Sequence, residues 1–311
     1  MQPAISETPL LVISGPTASG KTSVALDLAR RLNGEIISAD SMQVYKHLSI
    51  GTAKPTAEEL DGQPYHLIDH VEPGDQYHLG RFVTEATELI DKIRSSGKQP
   101  IVCGGTGLYI KGMLYGVFSN GEAAPEVREQ LEQRRHDEGL SSLYSELEQV
   151  DPALASLYGP NDRQRIIRAL EVYHSTGKPL SSMHQQNLEK PLHEHRLYVL
   201  SRPRPQLYDR INNRVELMVQ EGLRDEVRTY LAGGWSHDNP AIKALGYREL
   251  IAAEKGELPL EAALQAMKQK SRNYAKRQET WFRSMKNSIW INCEELSATQ
   301  ITDTILADWK N

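Results

Sequence analysis

Short apolar runs and amphipathic segments alternate along the first hundred residues of the chain. Residues 10–13, 35–38 and 100–103 form short, largely apolar runs that are typical of buried strands. Residues 23–32 and 81–94 instead place apolar side chains at helical spacing. Because strands alternate with helices, we predict a parallel α/β sheet, whose ligands bind beyond the carboxyl ends of the strands.

The hydrophobic pattern changes at about residue 120, and the stretch from 125 to 186 has no strand pattern. Helices are predicted at residues 125–138, 140–149, 152–157, 163–175, 206–232 and 260–286, and one further strand at 197–200. We therefore expect a core domain of residues 1–119 and 191–311, interrupted by an all-helical insertion domain of residues 120–190.

Composition narrows the classes of protein to which the chain can belong. Hydrophobic residues make up 39% and charged residues 25% of its 311 residues, as in ordinary soluble proteins. Two cysteines, Cys103 and Cys293, are too few for a disulfide framework or a cysteine-based zinc site, which fits a reducing compartment. No apolar run approaches the length that spans a membrane. We expect a soluble, cytoplasmic protein.

The first predicted strand runs into a complete P-loop motif, residues 15–22 (GPTASGKT), and a predicted helix follows. Its glycines let backbone N–H groups converge on phosphate oxygens, and the helix N-terminus adds partial positive charge. Lys21 would reach the terminal phosphate, and Thr22 would bind Mg²⁺. The fold class is therefore a P-loop NTPase-like parallel sheet flanked by helices. The motif predicts a phosphate ligand without naming it, although most P-loop proteins bind ATP or GTP.

The acidic residue that nucleotide-hydrolysing P-loop proteins carry for Mg²⁺ is missing from its usual place. The predicted strand at 100–103 ends in residues 104–107 (GGTG), and Asp40 instead stands just beyond the second strand. A lone Asp in a loop is often an N-cap or a turn residue. Its place near the P-loop favours a catalytic role, but small P-loop kinases carry a substrate-binding Asp at a similar point. Asp40 alone therefore leaves both classes open.

A basic, aromatic segment near the C-terminus is the second unusual feature. Residues 268–286 carry seven cationic side chains and one acidic one, although the whole chain has a net charge of −5. Such a run is often a solvated helix face, whereas cations interleaved with Tyr274, Trp281 and Phe282 suggest a surface for a polyanion. Arg163, Arg165 and Arg168 extend the same pattern in a second predicted helix.

Taken together, these segments resemble the tRNA dimethylallyltransferases, also called tRNA isopentenyltransferases. The matching segments, in the order of the family, are residues 15–22 (GPTASGKT), 39–45 (ADSMQVY), 51–55 (GTAKP), 66–69 (HLID), 104–109 (GGTGLY), 161–171 (NDRQRIIRALE), 246–249 (GYRE) and 276–283 (KRQETWFR). Because the chain lacks the cysteines of the zinc finger that eukaryotic relatives carry, it resembles the bacterial form.

The resemblance implies a fold, a reaction and partners. A dimethylallyl group would pass from dimethylallyl diphosphate to N6 of adenosine 37 of tRNA, with Mg²⁺ at the diphosphate. The P-loop would then hold a leaving group rather than a nucleotide. The insertion domain would clamp the anticodon stem-loop, and adenosine 37 would be flipped into a channel to reach Asp40. We expect a monomer that does not bind membranes.

The resemblance also implies roles for single residues. Asp40 would be the general base, with Thr106 across the turn and Lys21 at the diphosphate as further catalytic residues. The diphosphate would be bound by Gly15, Pro16, Thr17, Ala18, Ser19, Gly20, Lys21, Thr22 and Arg214, and the metal by Thr22. Contacts with tRNA are expected from Asp40, Ser41, Met42, Gln43, Thr106, Arg128, Gln164, Arg165, Ile166, Ile167, Arg168, Gly246, Tyr247, Arg248, Lys276, Arg277 and Gln278.

Two alternatives remain at this stage. The chain could be an ATP-dependent small-molecule kinase in which Asp40 activates a substrate hydroxyl. It could also be a non-catalytic RNA-binding protein, but the intact Lys21 and Thr22 argue against a vestigial loop.

Overall fold

The computed structural model describes residues 9–116, 125–182 and 191–309. Contacts between Cα atoms divide the chain into a core unit, residues 1–114 with 193–311, and a helical unit, residues 115–192. Both predicted limits of the insertion domain, residues 120 and 190, and the end of its predicted helical stretch at 183–186 lie outside the described residues.

The core unit is built on a six-stranded sheet in which every neighbouring pair is parallel. The strands are β1 (Leu10–Ser14), β2 (Gly34–Ser38), β3 (Tyr65–His66), β4 (Gln99–Gly104), β5 (His195–Ser201) and β6 (Ser288–Asn292). Their order is β3-β2-β4-β1-β5-β6, so β1 lies between β4 and β5. All five residues of β1 are buried, as expected for an inner strand whose two faces are covered by helices.

The helices, numbered in chain order, flank the sheet or form the helical unit. They are α1 (Lys21–Arg31), α2 (Ala57–Leu60), α3 (Leu79–Ser95), α4 (Gly107–Tyr115), α5 (Pro125–Glu138), α6 (Leu140–Val150), α7 (Pro152–Ala155), α8 (Arg163–Thr176), α9 (Arg204–Gln220), α10 (Leu223–Ala232), α11 (Tyr247–Glu254), α12 (Leu260–Arg283) and α13 (Ala298–Trp309).

The helical unit, which contains α5 to α8, has an apolar core of its own. Leu143, Leu147 and Leu170 are completely buried there, and Ile166 and Ile167 join them from α8. Helix α8 is capped at its N-terminus by Asp162, whose side chain accepts the N–H of Arg165, and at its C-terminus by Gly177, at φ 70°. An Asp cap and a left-handed glycine are common signals for the two ends of a helix.

The sequence pattern missed several elements of the core unit. The edge strands β3 and β6 were not predicted. β3 has only two residues, and β6 has an apolar run of three residues of which only Ile291 is buried. The helical pattern over 206–232 is two helices, since Gly222, at φ 99°, separates α9 from α10. The predicted helix at 260–286 ends earlier, at Arg283.

None of the helices in the described ranges combines the length and the apolar character that crossing a membrane requires.

Candidate functional site

The strand order brings three polar turns together at the carboxyl edge of the sheet. The P-loop follows β1, the Gly104–Thr106 turn follows β4, and Asp40 lies just beyond β2. The β4 turn therefore lies between the other two. The backbone N–H of Thr106 donates to the carbonyl of Ala39 at 3.1 Å. A Cβ on Gly104 would lie 2.2 Å from that same carbonyl oxygen, so only glycine allows the two turns to approach this closely.

Residues with positive φ let the P-loop curve tightly in front of the N-terminus of α1. Gly15 has φ 144°, and a Cβ there would lie 2.5 Å from the carbonyl oxygen of Leu200. Ala18 and Gly20 also have positive φ, at 63° and 100°. The loop wraps around the N-terminus of α1, where backbone N–H groups and the helix dipole attract anions.

Not every predicted P-loop donor is available to a phosphate. The N–H of Thr17 donates to Oε1 of Gln278 at 2.8 Å, and the N–H of Ser19 donates to the carbonyl of Pro16 at 3.2 Å. The hydroxyl of Ser19 is buried and has no partner among the described residues. Its unpaired Oγ is the kind of group that a bound anion would satisfy.

Two arginines that were not predicted as site residues hold the P-loop from outside. Nε of Arg210 donates to the carbonyl of Ala18 at 2.9 Å, and Nε of Arg202 donates to the carbonyl of Ser19 at 3.2 Å. Both follow β5, more than 180 residues beyond the loop. Because these partners are so far apart in the sequence, no local motif could have predicted the contacts.

A cationic cavity opens beside the P-loop. It has a volume of about 580 Å³, and this cavity, called here the phosphate cavity, is lined by Lys21, Thr22, Arg30, Arg210, Asn213 and Arg214, with Glu59 as its one acidic lining residue. Burial lowers the pKa of Lys21, although the charges of Cys103 and Asp40 oppose the shift. Burial also lowers the pKa of Arg214, which nevertheless stays cationic because its ordinary pKa is so high.

A second cavity of about 270 Å³, called here the apolar cavity, adjoins the first. Arg214 lines both cavities. The apolar side chains of the second are Ile211, Val215, Met218, Leu245 and Met267, and its polar ones include Thr17, Asp40, Ser41, Tyr274 and Arg277. The pair of cavities therefore offers one chamber lined by four cations and one that combines apolar side chains with the Asp40 carboxylate and the cations Arg214, Lys243 and Arg277.

Asp40 uses one oxygen for structure. Its Oδ1 accepts the N–H groups of Met42 at 2.9 Å and Gln43 at 3.3 Å, which makes Asp40 a turn residue as well as a site residue. Oδ2 has no hydrogen-bond partner among the described residues. The adjacent Thr106 Oγ1 accepts the N–H of Ser41 at 3.1 Å. The turn is thus fixed while one carboxylate oxygen stays available.

Tyr274 is a further site residue that was not predicted. It lines the apolar cavity, its hydroxyl interacts with Thr106, and burial raises its pKa to about 12. The hydroxyl is therefore a protonated donor at neutral pH.

Several predicted RNA contacts have buried side chains instead. Ile166 and Ile167 belong to the core of the helical unit, and Tyr247 is completely buried in the core unit. Gln278 is 5% exposed, and its amide links the N–H of Thr17 to the carbonyl of Gly105, so it holds the P-loop against the β4 turn. Helix periodicity explains these outcomes, because each buried residue has exposed neighbours in the same motif.

Most of the other predicted RNA contacts are exposed or lie at the apolar cavity, and Gln43 and Gly246 do neither. Gln164, Arg165 and Arg168 are exposed on α8, and Arg128 is exposed on α5. Arg248, Lys276 and Arg277 are exposed in the core unit. Ser41 and Met42 line the apolar cavity, the amide of Gln43 is bound by the carbonyls of Thr52 and Ala53, and Gly246 begins α11 at φ 91°.

The basic segment of α12 is less uniform than its sequence suggests. Lys268 pairs with Glu216, Lys270 pairs with Glu249, and Arg272 donates to Asn212 at 2.6 Å. These cations stabilise packing between helices. Lys276, Arg277, Arg283 and Lys286 are exposed, and of these Arg277 lines the apolar cavity, with Lys276 next to it in sequence.

The residues near the P-loop fit a magnesium ion that takes most of its ligands from the phosphate oxygens of a bound substrate and from water. Across residues 9–116, 125–182 and 191–309, no cluster of three or more His, Cys, Asp or Glu side chains could hold a metal alone. Thr22 offers one hydroxyl at the phosphate cavity. Mg²⁺ commonly takes one or two protein ligands and completes its octahedron with phosphate oxygens and water.

The P-loop between β1 and α1, at the carboxyl edge of a parallel sheet, defines a P-loop protein of the α/β class. Comparison with known proteins identifies the family. An IPP transferase family model matches residues 43–285, and an isopentenyl transferase model matches residues 8–71. The chain belongs to the IPP transferase family.

Named relatives agree with this assignment over nearly the whole chain. The chain is 45% identical to the tRNA dimethylallyltransferase of Acetivibrio thermocellus, over 94% of each chain. A tRNA delta(2)-isopentenylpyrophosphate transferase structure from Staphylococcus epidermidis is 38% identical, with a TM-score of 0.72 over 97% of this chain and 99% of that one. A eukaryotic dimethylallyltransferase captured acting on tRNA is 29% identical, with a TM-score of 0.86 over 96% of this chain and 77% of that one. These names favour prenyl transfer over the kinase alternative.

Proposed function

We propose that this enzyme transfers a dimethylallyl group from dimethylallyl diphosphate to N6 of adenosine 37 of tRNA. The observation that carries the proposal is the pair of adjoining cavities that share Arg214. The first has four cations around the P-loop and suits the diphosphate. The second has a run of apolar side chains with Asp40 and further cations in its wall, and suits the prenyl group and a flipped base that belongs to an RNA.

The phosphate cavity would bind and stabilise the leaving group. Lys21, Arg30, Arg210 and Arg214 line it, so its cations exceed its one acidic residue, Glu59. Diphosphate gains charge as its bond to the allylic carbon breaks, and preorganised cations stabilise such charge more strongly in the transition state than in the ground state. When bound at Thr22, Mg²⁺ supplies further neutralisation of that charge.

Asp40 would remove the proton that N6 must lose. The N6 lone pair of adenine is delocalised into the ring, which makes it a weak nucleophile. As N6 bonds to C1 of the dimethylallyl group, the C1–O bond breaks, diphosphate leaves with the electron pair, and the N6 proton passes to Oδ2 of Asp40. Thr106 fixes the turn of Asp40 through the N–H of Ser41, and Tyr274 offers a hydroxyl donor beside it.

The RNA would be bound by exposed cations of both units. In the helical unit, which we propose clamps the anticodon stem-loop, these are Arg128, Arg165 and Arg168, with Gln164 beside them. In the core unit they are Arg248, Lys276 and Arg277. Flipping adenosine 37 costs a few kcal/mol, which phosphate contacts and restacking would offset. We propose that the enzyme acts as a cytoplasmic monomer.

Replacing the proposed base tests this mechanism. In Asp40→Asn the side-chain carbonyl can still accept the turn N–H groups, so the fold and the affinity for tRNA should stay close to wild type. General-base help is worth about 10²- to 10⁴-fold, and we expect a loss of that size in single-turnover transfer.

Asp40→Ala is the matched variant, because it removes the turn cap as well as the base. It should lose the same activity and, in addition, about 1 kcal/mol of stability in urea unfolding. Normal transfer by Asp40→Asn together with weak tRNA binding would show that Asp40 binds RNA and is not the base.

A further inference from the structure

One wall of the apolar cavity is an irregular loop, here the 48–54 loop, whose residues Gly51, Thr52 and Ala53 line the cavity. The loop lies outside any helix or strand. Two of its own backbone bonds close it: the N–H of Ala53 donates to the carbonyl of Ile50 at 2.9 Å, and the N–H of Lys54 to that of Ser49 at 3.0 Å. A loop closed by so few internal bonds needs support from elsewhere to keep one shape.

The hydroxyl of Thr52 and the ammonium of Lys54 give part of that support, and a carboxylate on α10 binds the backbone N–H groups at the start of the loop. Glu226 Oε2 accepts the N–H groups of Ser49 at 2.6 Å and Ile50 at 2.7 Å, and Oε1 accepts the N–H of Gly51 at 3.1 Å. Three successive backbone amides thus converge on one anion. Hydrogen bonds to an ionised acceptor are roughly twice as strong as neutral ones, so this carboxylate dominates the local structure.

The hydroxyl of Tyr247 binds the same carboxylate of Glu226. Its hydroxyl donates to Oε1 of Glu226 at 2.5 Å, and burial, followed by the charge of Glu226, raises its pKa so that it remains a donor. A Cβ on Gly51 would lie 2.5 Å from that hydroxyl oxygen. The loop therefore rests directly on the ring of Tyr247, and only glycine fits at the point of contact.

The 48–54 loop is hydrogen-bonded in turn to the segment that holds Asp40. The carbonyls of Thr52 and Ala53 accept the side-chain amide of Gln43, at 3.2 Å and 2.9 Å. The backbone N–H of Gln43 in turn donates to Oδ1 of Asp40 at 3.3 Å. The chain of contacts runs from Glu226 through the loop and Gln43 to the carboxylate beside which the prenyl group would react.

We infer that Glu226, supported by Tyr247, is a positioning residue that fixes the wall of the apolar cavity and the orientation of Asp40. The inference rests on the proposed function for its reaction but concerns a residue outside every motif that carried the family resemblance. It also gives Tyr247 a role other than the expected contact with tRNA.

The contacts of Glu226 and Tyr247 reach the wall of the apolar cavity but not the phosphate cavity. None of Glu226, Tyr247 and the 48–54 loop lines the phosphate cavity. Loss of the Glu226 carboxylate should therefore change how the prenyl group is held without changing how diphosphate is held. A purely structural residue would weaken both sites together or neither.

The test compares Glu226→Gln with Glu254→Gln. Glu254 also joins the same two helices through its carboxylate, since it lies on α11 and accepts Nε of Arg224 and of Arg228 on α10 at 2.7 Å, and the 48–54 loop is not among its contacts. In Glu226→Gln an NH₂ group replaces one of the oxygens that face the amide donors. Calorimetry on each full-length variant gives the Kd for inorganic diphosphate and the Kd for dimethylallyl diphosphate. The first Kd divided by the second measures the affinity that the prenyl group contributes.

We expect Glu226→Gln to keep the wild-type Kd for inorganic diphosphate and to lower the ratio at least about threefold, while kcat for transfer falls about tenfold to a hundredfold. Glu254→Gln should match wild type in all three. Tyr247→Phe should shift the ratio and kcat in the same direction but less, and adding it to Glu226→Gln should cost nothing further, because both act through one contact.

An unchanged ratio in Glu226→Gln, or equal losses in the two Gln variants, would overturn the inference. The binding ratio does not depend on turnover. Failure of the wild type to transfer the prenyl group would therefore contradict the proposed function and leave the positioning role to be decided by the ratio.

Discussion

At the residue scale, the site depends on side chains that have both a structural contact and a free chemical group. Asp40 caps its own turn with Oδ1 and leaves Oδ2 available. Lys21 donates to the carbonyl of Pro16 at 3.2 Å and lines the phosphate cavity. Gln278, expected at the RNA, instead connects the P-loop with the β4 turn. Such residues are fixed before substrate arrives, which lowers the cost of organising the site during reaction.

The lowered pKa of Lys21 predicts how diphosphate binding depends on pH. The protonated ammonium binds the anion, and burial, the largest cause, moves its pKa below the ordinary 10.5. Affinity should therefore fall as the pH rises through that lowered pKa, and the fall should begin at a lower pH than an ordinary lysine would give. Calorimetry with inorganic diphosphate, from pH about 7 to about 10, measures the fall.

Lys21→Ala is the control for this measurement, because it also corrects for the titration of diphosphate itself. It should bind more weakly at neutral pH and lack the alkaline loss that Lys21 causes. Parallel pH profiles in the two proteins would mean that the ammonium of Lys21 does not titrate in this range.

At the scale of elements, the sequence predicts those features that depend on residues close together in the chain and misses those that depend on distant ones. β1, β2, β4 and β5 were predicted because inner parallel strands are short apolar runs. The edge strand β6 was missed because its apolar run is only three residues long and only Ile291 in it is buried. The P-loop and Asp40 are local motifs, whereas the contacts of Gln278 with Thr17 and of Glu226 with the 48–54 loop join residues 261 and 175–177 positions apart. Only the folded chain brings these pairs together.

Helix α12 should contact RNA with the residues that it leaves exposed. Lys276→Ala and Arg277→Ala should each weaken binding of the anticodon stem-loop and reduce the slope of log K against log salt by about one phosphate contact. Lys270→Ala is the control from the same helix, because Lys270 is already paired with Glu249. It should leave the salt slope unchanged.

Fluorescence anisotropy at several salt concentrations measures these slopes. Equal slopes in wild type, Lys276→Ala and Arg277→Ala would show that this face of α12 is a solvated helix surface and that the RNA binds elsewhere.

At the scale of the whole molecule, the chain combines two folding units with separate cores. The core unit provides both cavities from its loops and helices, and the helical unit has its own apolar centre and its own exposed arginines. Within the helical unit, Arg128 and Arg168 both contact the buried carboxylate of Glu171, at 3.3 Å and 3.2 Å, so two proposed RNA contacts share one anchor. This division fits an enzyme that binds a small diphosphate and a large nucleic acid.

The proposed function depends most on which phosphate compound the P-loop binds. The direct measurement is to incubate the full-length enzyme with Mg²⁺ and unmodified tRNA, adding either dimethylallyl diphosphate labelled in the prenyl carbons or ATP labelled in its γ-phosphate. We predict that prenyl label appears in tRNA as N6-isopentenyladenosine at position 37 and that no γ-phosphate is transferred. Transfer of phosphate from ATP, with no prenyl label in the tRNA, would contradict the account.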